Sequence, residues 1–336
     1  MLRIAFIGVS HWHALLYYKP AARLPNVRIV AVSDPDPIVA ERVGQELEAK
    51  VFLDYRALLA EARPDFAFAF ARHCDMPEVA SALIDENVPF VMEKPIGLNA
   101  GQVSAIRDRV KAKGLHAGTG FNFRVGDLFK KIQAMTAEDP ITHASFRYNG
   151  VGGPHRYREA GCHWMLDPKF SGGGCTMNLS GHFIDMFRVF SHSKPKVVTS
   201  LMGNFTWHLP IEDYSSMILR SETSVCTIET GYTYPAPYNI FDARFSLRTS
   251  RYYIVARNDD VVEIHRGCDG HMEQFSTKVF NAPWYPLFVS DSIDRFVKGQ
   301  PPVADLDALV EVMQVIDAAY ASSRAGGTTV LLGDRK

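Results

Sequence analysis

The sequence predicts a doubly wound α/β domain with a parallel sheet over residues 1–121. It predicts an α+β domain with a large open, mostly antiparallel sheet over residues 122–336. In the first part, short apolar runs alternate with helical patterns, as in a parallel sheet covered on both faces. In the second part, strand-like segments follow one another with few helices between them, which is typical of an antiparallel sheet. A length of 336 residues also suits two domains.

The apolar runs of the first domain are predicted strands, and the amphipathic segments between them are predicted helices. Pro20 is expected to kink or shorten the first helix, and Pro77 suits a helix start. The predicted strands are 3–8, 27–33, 65–71, 88–92 and 115–121, and the predicted helices are 13–24, 38–47, 55–62, 77–86 and 99–113.

The second domain combines β-rich sequence with a helix that follows three glycines and two helices near the C-terminus. The aromatic residues of its strands are expected in the sheet core or at a subunit interface. The predicted strands are 141–149, 196–205, 215–221, 225–232, 241–248, 252–256 and 261–265, and the predicted helices are 175–190, 285–298 and 305–323.

Composition excludes several classes of protein. With 47% apolar and 22% charged residues the chain is globular rather than disordered, and a net charge of −1 gives no support for a nucleic-acid or membrane partner. No apolar run is long enough to cross a membrane, and the short N-terminal run suits a strand better than a signal peptide. The odd number and wide spacing of the cysteines indicate a reduced, cytoplasmic protein without a disulfide frame or zinc ribbon. These cysteines are Cys74, Cys162, Cys175, Cys226 and Cys268.

The turn after the first strand, residues 8–13 (GVSHWH), stands where a dinucleotide-binding fingerprint G-x-G-x-x-G would begin. Only Gly8 of the three glycines is present, and Ser10 and His13 occupy the other two positions. The start of the following helix still offers backbone N–H groups and a positive dipole end to a diphosphate. A strand–turn–helix without any ligand remains the simpler alternative. His11 and His13 point in different directions, so no metal site is expected.

Asp34 ends the second predicted strand, at the distance where an acidic residue accepts hydrogen bonds from a ribose and repels a 2′-phosphate. It therefore favours NAD over NADP. The alternative is that Asp34 caps the next helix, with Pro35 at its first position.

The fourth predicted strand is followed directly by Glu93-Lys94-Pro95. Ligands of open α/β sheets bind at this carboxyl end of the strands. A lysine there could hydrogen-bond a substrate hydroxyl or share its proton. The alternative is a solvated lysine that opens a loop.

Three polar residues of the 175–190 helix, Asn178, His182 and Asp185, lie on one helix face because they are four and three residues apart. Such a stripe either faces solvent or lines a cleft. His182 could exchange a proton near neutral pH. Asp185 could orient it or contact a substrate.

Taken together, these motifs resemble the Gfo/Idh/MocA family of nicotinamide-dependent oxidoreductases, over essentially the whole chain. The resemblance implies a Rossmann domain and an open-sheet domain that forms homodimers or homotetramers. It also implies an NAD(P)-dependent dehydrogenase that acts on a hydroxyl carbon of a sugar, polyol or sugar acid. The segments that carry the resemblance are the turn at Gly8, Asp34, Glu93-Lys94-Pro95, GFNFR at 120–124, SGGGCTMNLSGHFID at 171–185 and the C-terminal helices.

The resemblance also assigns roles to individual residues. Lys94 and His182 would be catalytic, and the Lys94–Pro95 peptide could be cis. The implied cofactor-binding residues are Gly8, Ser10, His11, Trp12, His13, Asp34, Ala71, Arg72, His73, Met76, Glu93 and Lys94. The implied substrate-binding residues are Asn122, Arg124, Trp164, Asn178, His182 and Asp185.

The chain departs from the family pattern at several of these positions. Asn178 replaces an acid and cannot take a proton, Met76 replaces a frequent histidine, and residues 71–73 (ARH) replace T-P-N. Two other functions therefore stay open. One is an enzyme that keeps and recycles a tightly bound NAD, and the other is a dinucleotide-binding regulatory protein without turnover.

Overall fold

The structure, a computed structural model, describes residues 1–151, 153–235, 241–267 and 270–333. Cys268, named above among the cysteines, lies outside these ranges. The chain divides into two compact units, each built from three segments. The first unit comprises Met1–Asn122, Tyr157–Gly172 and Trp284–Val310, and the second comprises Phe123–Arg156, Gly173–Pro283 and Glu311–Lys336.

A six-stranded, all-parallel sheet forms the centre of the first unit, in the order β3-β2-β1-β4-β5-β6. The predicted doubly wound parallel sheet is therefore confirmed. The order reverses between β1 and β4, and open α/β sheets bind ligands at such a switch point. The strands are β1 (Leu2–Ile7), β2 (Val27–Ser33), β3 (Lys50–Phe52), β4 (Phe66–Ala69), β5 (Phe90–Met92) and β6 (Ala117–Thr119).

Helices connect these strands, and α1 also packs on a helix from the C-terminal part of the chain. Pro20 lies inside α1, which ends one residue later and is shorter than predicted. The helices of this unit are α1 (Ala14–Ala21), α2 (Pro37–Leu47), α3 (Tyr55–Ala62), α4 (Met76–Asp85) and α5 (Ala100–Lys113).

A nine-stranded sheet forms the second unit, in the order β14-β13-β12-β11-β7-β10-β9-β8-β15. Among the strands of the described ranges, β7 and β10 pair in parallel and the other neighbours are antiparallel. The predicted mostly antiparallel sheet is confirmed. Its strands are β7 (His143–Val151), β8 (Val197–Gly203), β9 (Tyr214–Arg220), β10 (Val225–Tyr234), β11 (Asp242–Arg248), β12 (Tyr252–Arg257), β13 (Val261–Arg266), β14 (His271–Ser276) and β15 (Val330–Leu331).

The helix predicted at 175–190 is in fact two pieces, a π-helix at Thr176–Ser180 and an α-helix at Gly181–Ser191. A π-turn of this kind frequently marks a functional site. The remaining α-helices are α6 (Asp127–Thr136), α7 (Gly153–Glu159), α8 (Pro168–Ser171), α9 (Gly181–Ser191), α10 (Tyr285–Val297) and α11 (Leu306–Arg324). Among the helices of the described residues, none combines the length and apolarity that a bilayer-spanning segment needs.

Candidate cofactor and substrate sites

Gly8 follows β1 directly and contacts the ends of two neighbouring strands, β2 and β4. Its φ of +78° lies in the left-handed region, and a Cβ built on it would lie 2.1 Å from the carbonyl oxygen of Phe70. Its N–H donates to the carbonyl of Ser33 over 2.8 Å. Only glycine meets both conditions, so this position of the fingerprint is kept for a backbone reason.

Asp34 lies at the end of β2 and is buried. Its Oδ2 accepts the Ser10 N–H over 2.6 Å and its Oδ1 accepts the Asp36 N–H over 3.0 Å. Burial raises the pKa of Asp34, against the lowering effect of these two N–H groups. The carboxylate is thus held rigidly beside the turn that follows β1.

The N-cap of α2 is Asp36, and the alternative that Asp34 caps this helix is wrong. The Asp36 carboxylate accepts hydrogen bonds from the N–H groups of Ile38 and Val39, over 2.9 and 3.3 Å. Pro37 takes the first helical position. Because Asp36 satisfies the helix end, Asp34 keeps lone pairs that can accept from a ligand.

A crevice of about 620 Å³ lies in the first unit, beside the ends of β1, β2 and β4. Six of the expected cofactor residues line it, whereas Trp12, His13, His73, Met76, Glu93 and Lys94 do not. The six are Gly8, Ser10, His11, Asp34, Ala71 and Arg72.

Sequence reasoning missed several other residues that line the crevice. Leu53, Tyr55 and Arg56 follow the short strand β3, which was not predicted. The signal that could have found them is the brief run KVF before an Asp–Tyr helix start. Gly161, Cys162 and Trp164 also line the crevice, and Trp164 was expected instead in the substrate site.

Two buried histidines next to the crevice are neutral and carry their protons on opposite ring nitrogens. The backbone N–H of His13 donates to Nδ1 of His11 over 3.1 Å, so the His11 proton is on Nε2. His73 Nδ1 donates to the carbonyl of Ser171 over 2.7 Å, which leaves Nε2 as an acceptor. Burial lowers the pKa of His11 well below its usual value and that of His73 to about 3. His11 can therefore donate to a ligand and His73 can accept.

Glu93 and Lys94 follow β5 directly, and the Lys94–Pro95 peptide is cis, as the resemblance implies. Glu93 is 2% exposed and Lys94 is 5% exposed. The alternative of a solvated lysine is therefore wrong. Tyr17 donates to Glu93 Oε2 over 2.7 Å, and His13 Nδ1 lies 3.4 Å from the same oxygen. Asn122, expected to contact substrate, is buried at the last position of this unit's first segment.

In the second unit, Asn178, His182 and Asp185 are all buried, which overturns the alternative of a solvated stripe. Asn178 belongs to the π-helix and its Nδ2 donates to the Tyr232 hydroxyl over 3.0 Å. His182 lies in the first turn of α9, with its ring edge-on to Phe123 at 5.2 Å. The amide of Asn178 and the imidazole of His182 thus come from successive turns of one helical segment of this unit.

Asp185 has Arg124 as its main partner. Arg124 donates from Nε and Nη2 to the two carboxylate oxygens, and Arg188 Nη1 lies 3.3 Å from Oδ1. The structure therefore gives Asp185 the role of orienting Arg124, a role not foreseen from the sequence. Within the described residues no three His, Cys, Asp or Glu side chains group as metal ligands would.

Comparison with protein families identifies both halves of the chain. Residues 2–121 match an oxidoreductase family with an NAD-binding Rossmann fold, and residues 140–255 match the Gfo/Idh/MocA C-terminal domain. No match was found among curated proteins.

Solved structures with the same fold cover nearly all of the chain. Levoglucosan dehydrogenase in complex with NADH and levoglucosan is 16% identical, with a TM-score of 0.85 over 99% of this chain and 100% of that one. An Agrobacterium radiobacter oxidoreductase with NAD⁺, L-tartaric acid and magnesium is 17% identical, with a TM-score of 0.85 over 98% of each chain. Aldose-aldose oxidoreductase from Caulobacter crescentus with glycerol is 14% identical, with a TM-score of 0.82 over 98% of this chain and 99% of that one. From the two family matches, the chain belongs to the Gfo/Idh/MocA family of NAD-binding oxidoreductases.

Proposed function

We propose that the protein is an NAD-dependent dehydrogenase that oxidises a hydroxyl-bearing carbon of a sugar, polyol or sugar acid. The observation that carries this proposal is the burial of Lys94 directly after β5, in the same unit as the crevice beside Asp34. Lysine is rarely buried in proteins, and at the ligand-binding edge of a parallel sheet a buried ammonium group is placed to act on a bound ligand.

The residues of the crevice fit NAD. Asp34 offers carboxylate oxygens to the hydroxyls of a ribose, and the exposed Ser10 and the neutral His11 stand at the turn where a diphosphate would lie. The negative charge of Asp34 disfavours the 2′-phosphate of NADP. When bound, NAD supplies the hydride acceptor, and the protein supplies orientation and proton handling.

Lys94 and His182 are the proposed catalytic residues. Lys94 would hold the substrate hydroxyl through a charged hydrogen bond, and His182 would take the proton as the carbinol is oxidised. Asn178, one turn before His182, can accept and donate hydrogen bonds but cannot take a proton. We therefore assign Asn178 to the binding of substrate. His182 is then the last residue of the protein that accepts the substrate proton, and no proton passes on to Asn178.

The substrate class is supported by the polar groups of the second unit and by the structural relatives. Arg124 and Asn178 are donors that suit hydroxyl or carboxyl oxygens. Levoglucosan, L-tartaric acid and glycerol, which accompany the three relatives, each carry several hydroxyl groups. A small polyhydroxylated molecule is therefore the proposed substrate.

The direct test is the absorbance of reduced nicotinamide when the protein is mixed with NAD or NADP and a panel of sugars, inositols and sugar acids. We expect turnover with NAD and at least one member of the panel. Measurable NAD affinity without turnover on any member would overturn the dehydrogenase proposal and favour the regulatory alternative.

A second candidate is an enzyme that keeps its NAD and recycles it. The 157–172 segment packs in the first unit against the loop after β4, where Cys74 N–H donates to the Phe170 carbonyl over 3.1 Å and His73 to that of Ser171. Residues of this segment line the crevice and would slow release of a bound dinucleotide. NAD that is still released by denaturation after extensive dialysis would support this candidate, and cofactor-free protein after dialysis would exclude it.

We also propose that the protein forms homodimers or homotetramers through the nine-stranded sheet. Along β7 and β11, side chains alternate between buried and outward positions, and the outward row includes Ser145, Arg147 and Arg244. Exposed Leu201 and Ile218 lie on β8 and β9, which β10 separates from β7 in the same sheet. Light scattering should give the mass of two or four chains, and an Ile218→Glu variant should reduce it.

A further inference from the structure

The Glu93 carboxylate occupies a sealed site inside the first unit. Tyr17 donates to Oε2 over 2.7 Å and His13 Nδ1 lies 3.4 Å from it, whereas Oε1 has no hydrogen-bond partner among the described residues. A Cβ built on Gly120 would lie 3.0 and 3.1 Å from the two oxygens. The Tyr17 hydroxyl would lie nearer still, at 2.9 Å, so a larger residue at position 120 would require the Tyr17 hydroxyl and the carboxylate to shift.

A carboxylate in this position is stable as an anion only if its neighbours compensate the loss of water. Burial alone would raise the pKa of Glu93, but His13 and Lys94 lower it, and their effect holds the pKa well below its usual range. The titratable groups around Glu93 come from the turn after β1, from α1, from the loops after β4 and β5 and from α10. They are His11, His13, Tyr17, His73 and Lys94, together with Tyr285, which contacts His13 and Tyr17.

The sequence brings both groups that face Glu93 Oε2 from one helix face. His13 precedes α1 and Tyr17 is four residues further on, so their side chains lie one above the other. Burial and the neighbouring Glu93 raise the pKa of Tyr17 well above its usual value, so its hydroxyl remains a donor at any working pH. His13 occupies the third glycine position of the fingerprint. Glycine has no side chain that could reach Glu93, whereas the His13 imidazole does.

We propose that His13 and Tyr17 are positioning residues that keep Glu93 ionised, and that Glu93 in turn supplies the counter-charge for Lys94. At the third fingerprint position, where glycine usually permits close helix–strand packing, this chain thus has His13, which acts on the proposed catalytic Lys94 through Glu93. The catalytic consequence rests on the proposed function, whereas the ionisation of Glu93 is independent of it.

The first test compares Tyr17→Phe with Tyr18→Phe. The two tyrosines are adjacent in α1 and both are buried, but only Tyr17 donates to Glu93 in the described structure. Loss of a hydrogen bond to a charged group predicts a decrease in kcat of roughly tenfold to a hundredfold for Tyr17→Phe. NAD affinity and KM should change little, and Tyr18→Phe should retain wild-type turnover. Equal kcat values for the two variants would contradict the proposal.

The second test follows the ionisation directly. The double variant Tyr17→Phe/His13→Ala lacks both the hydrogen-bond donor Tyr17 and the imidazole that lies 3.4 Å from Oε2. The pKa of Glu93 should therefore rise, and the acidic limb of the kcat–pH profile should move to higher pH. Replacing the alanine at position 13 of this double variant by asparagine returns an N–H group near the position of Nδ1. The resulting Tyr17→Phe/His13→Asn variant should therefore have an acidic limb closer to that of wild type.

An infrared difference spectrum of the double variant against wild type should show the carbonyl band of a protonated carboxylic acid, which a further Glu93→Gln substitution removes. Absence of this band at every pH at which the double variant is folded would overturn the proposal. If the band appears but no variant, and not even wild type, turns over any substrate, the proposed function fails and the role of His13 and Tyr17 stands.

Discussion

Arg124 donates two hydrogen bonds to Asp185, from Nε to Oδ2 over 2.8 Å and from Nη2 to Oδ1 over 2.6 Å. Asp185 is 1% exposed, whereas the Arg124 side chain is 19% exposed, so the carboxylate of this bidentate pair is removed from water and the guanidinium is only partly so. The guanidinium plane is fixed by two parallel bonds, which gives Arg124 a defined orientation as well as a neutralised charge. Asp185, which was expected to contact substrate or to orient His182, thus orients Arg124, another candidate substrate-binding residue.

Removing one member of this pair should be costly. Asp185→Asn removes the buried negative charge that faces Arg124, whose side chain is 19% exposed, and we expect the free energy of unfolding to fall by about 3–5 kcal/mol in urea denaturation. The exposed Lys50–Glu61 pair provides the control, because Glu61→Gln should cost less than about 1 kcal/mol. Similar losses for the two variants would show that the Arg124–Asp185 pair contributes no more than a surface ion pair.

His182 should be essential for turnover but not for cofactor binding. General acid–base catalysis contributes about 10²–10⁴-fold, so His182→Ala should lower kcat by that factor while the dissociation constant for NAD stays the same. His192, exposed at the end of the same helix with a φ of +53°, is the matched control, because asparagine tolerates this conformation. Unchanged kcat in His182→Ala would remove the proposed base, and a loss in His192→Asn would indicate a general effect on α9.

Long, strongly patterned elements could be predicted from the sequence, and short ones could not. The strand Val27–Ser33 and the helix Tyr55–Ala62 agree residue for residue with the prediction. Lys50–Phe52 was missed because three residues that begin with lysine carry no clear periodicity. This omission also hid the wall of the crevice that follows it.

Features of the site that depend on backbone geometry or long-range packing could not be predicted from the sequence either. The pattern from residue 175 onward suits one α-helix, and nothing in it distinguishes the π-turn at Thr176–Ser180. The spacing between Asp34 and Asp36 fits a helix cap at either residue, and only the hydrogen bonds of Asp36 decide between them. The return of residues 157–172 to the first unit is a long-range contact that local pattern does not encode.

Asp34 should determine the choice of nucleotide. Asp34→Asn keeps one acceptor oxygen but loses the negative charge, so discrimination against the 2′-phosphate of NADP should weaken by roughly tenfold. The control is Asp36→Ala, which removes the N-cap of α2 and should cost about 1 kcal/mol of stability. It should leave the ratio of NADP to NAD dissociation constants unchanged. An equal change of this ratio in both variants would mean that the shape of the loop, rather than the charge of Asp34, sets the preference.

Asp139 should give the second unit a component of stability that depends on pH. Burial alone would raise the pKa of Asp139, but the hydroxyls of Ser250 and Thr249 and the backbone N–H groups of Arg251 and Ser250 hold it well below its usual range. A carboxyl group with a lowered pKa in the folded state stabilises the protein above its unfolded pKa of about 4, and this contribution disappears as the pH falls further. Asp139→Asn should therefore lower the free energy of unfolding by roughly 1–3 kcal/mol at neutral pH, with a difference from wild type that narrows in acid. Urea denaturation across a pH series measures this, with the exposed Asp108→Asn as control. A difference that stays constant down to the lowest pH would show that the substitution at position 139 disturbs packing instead of removing a charge.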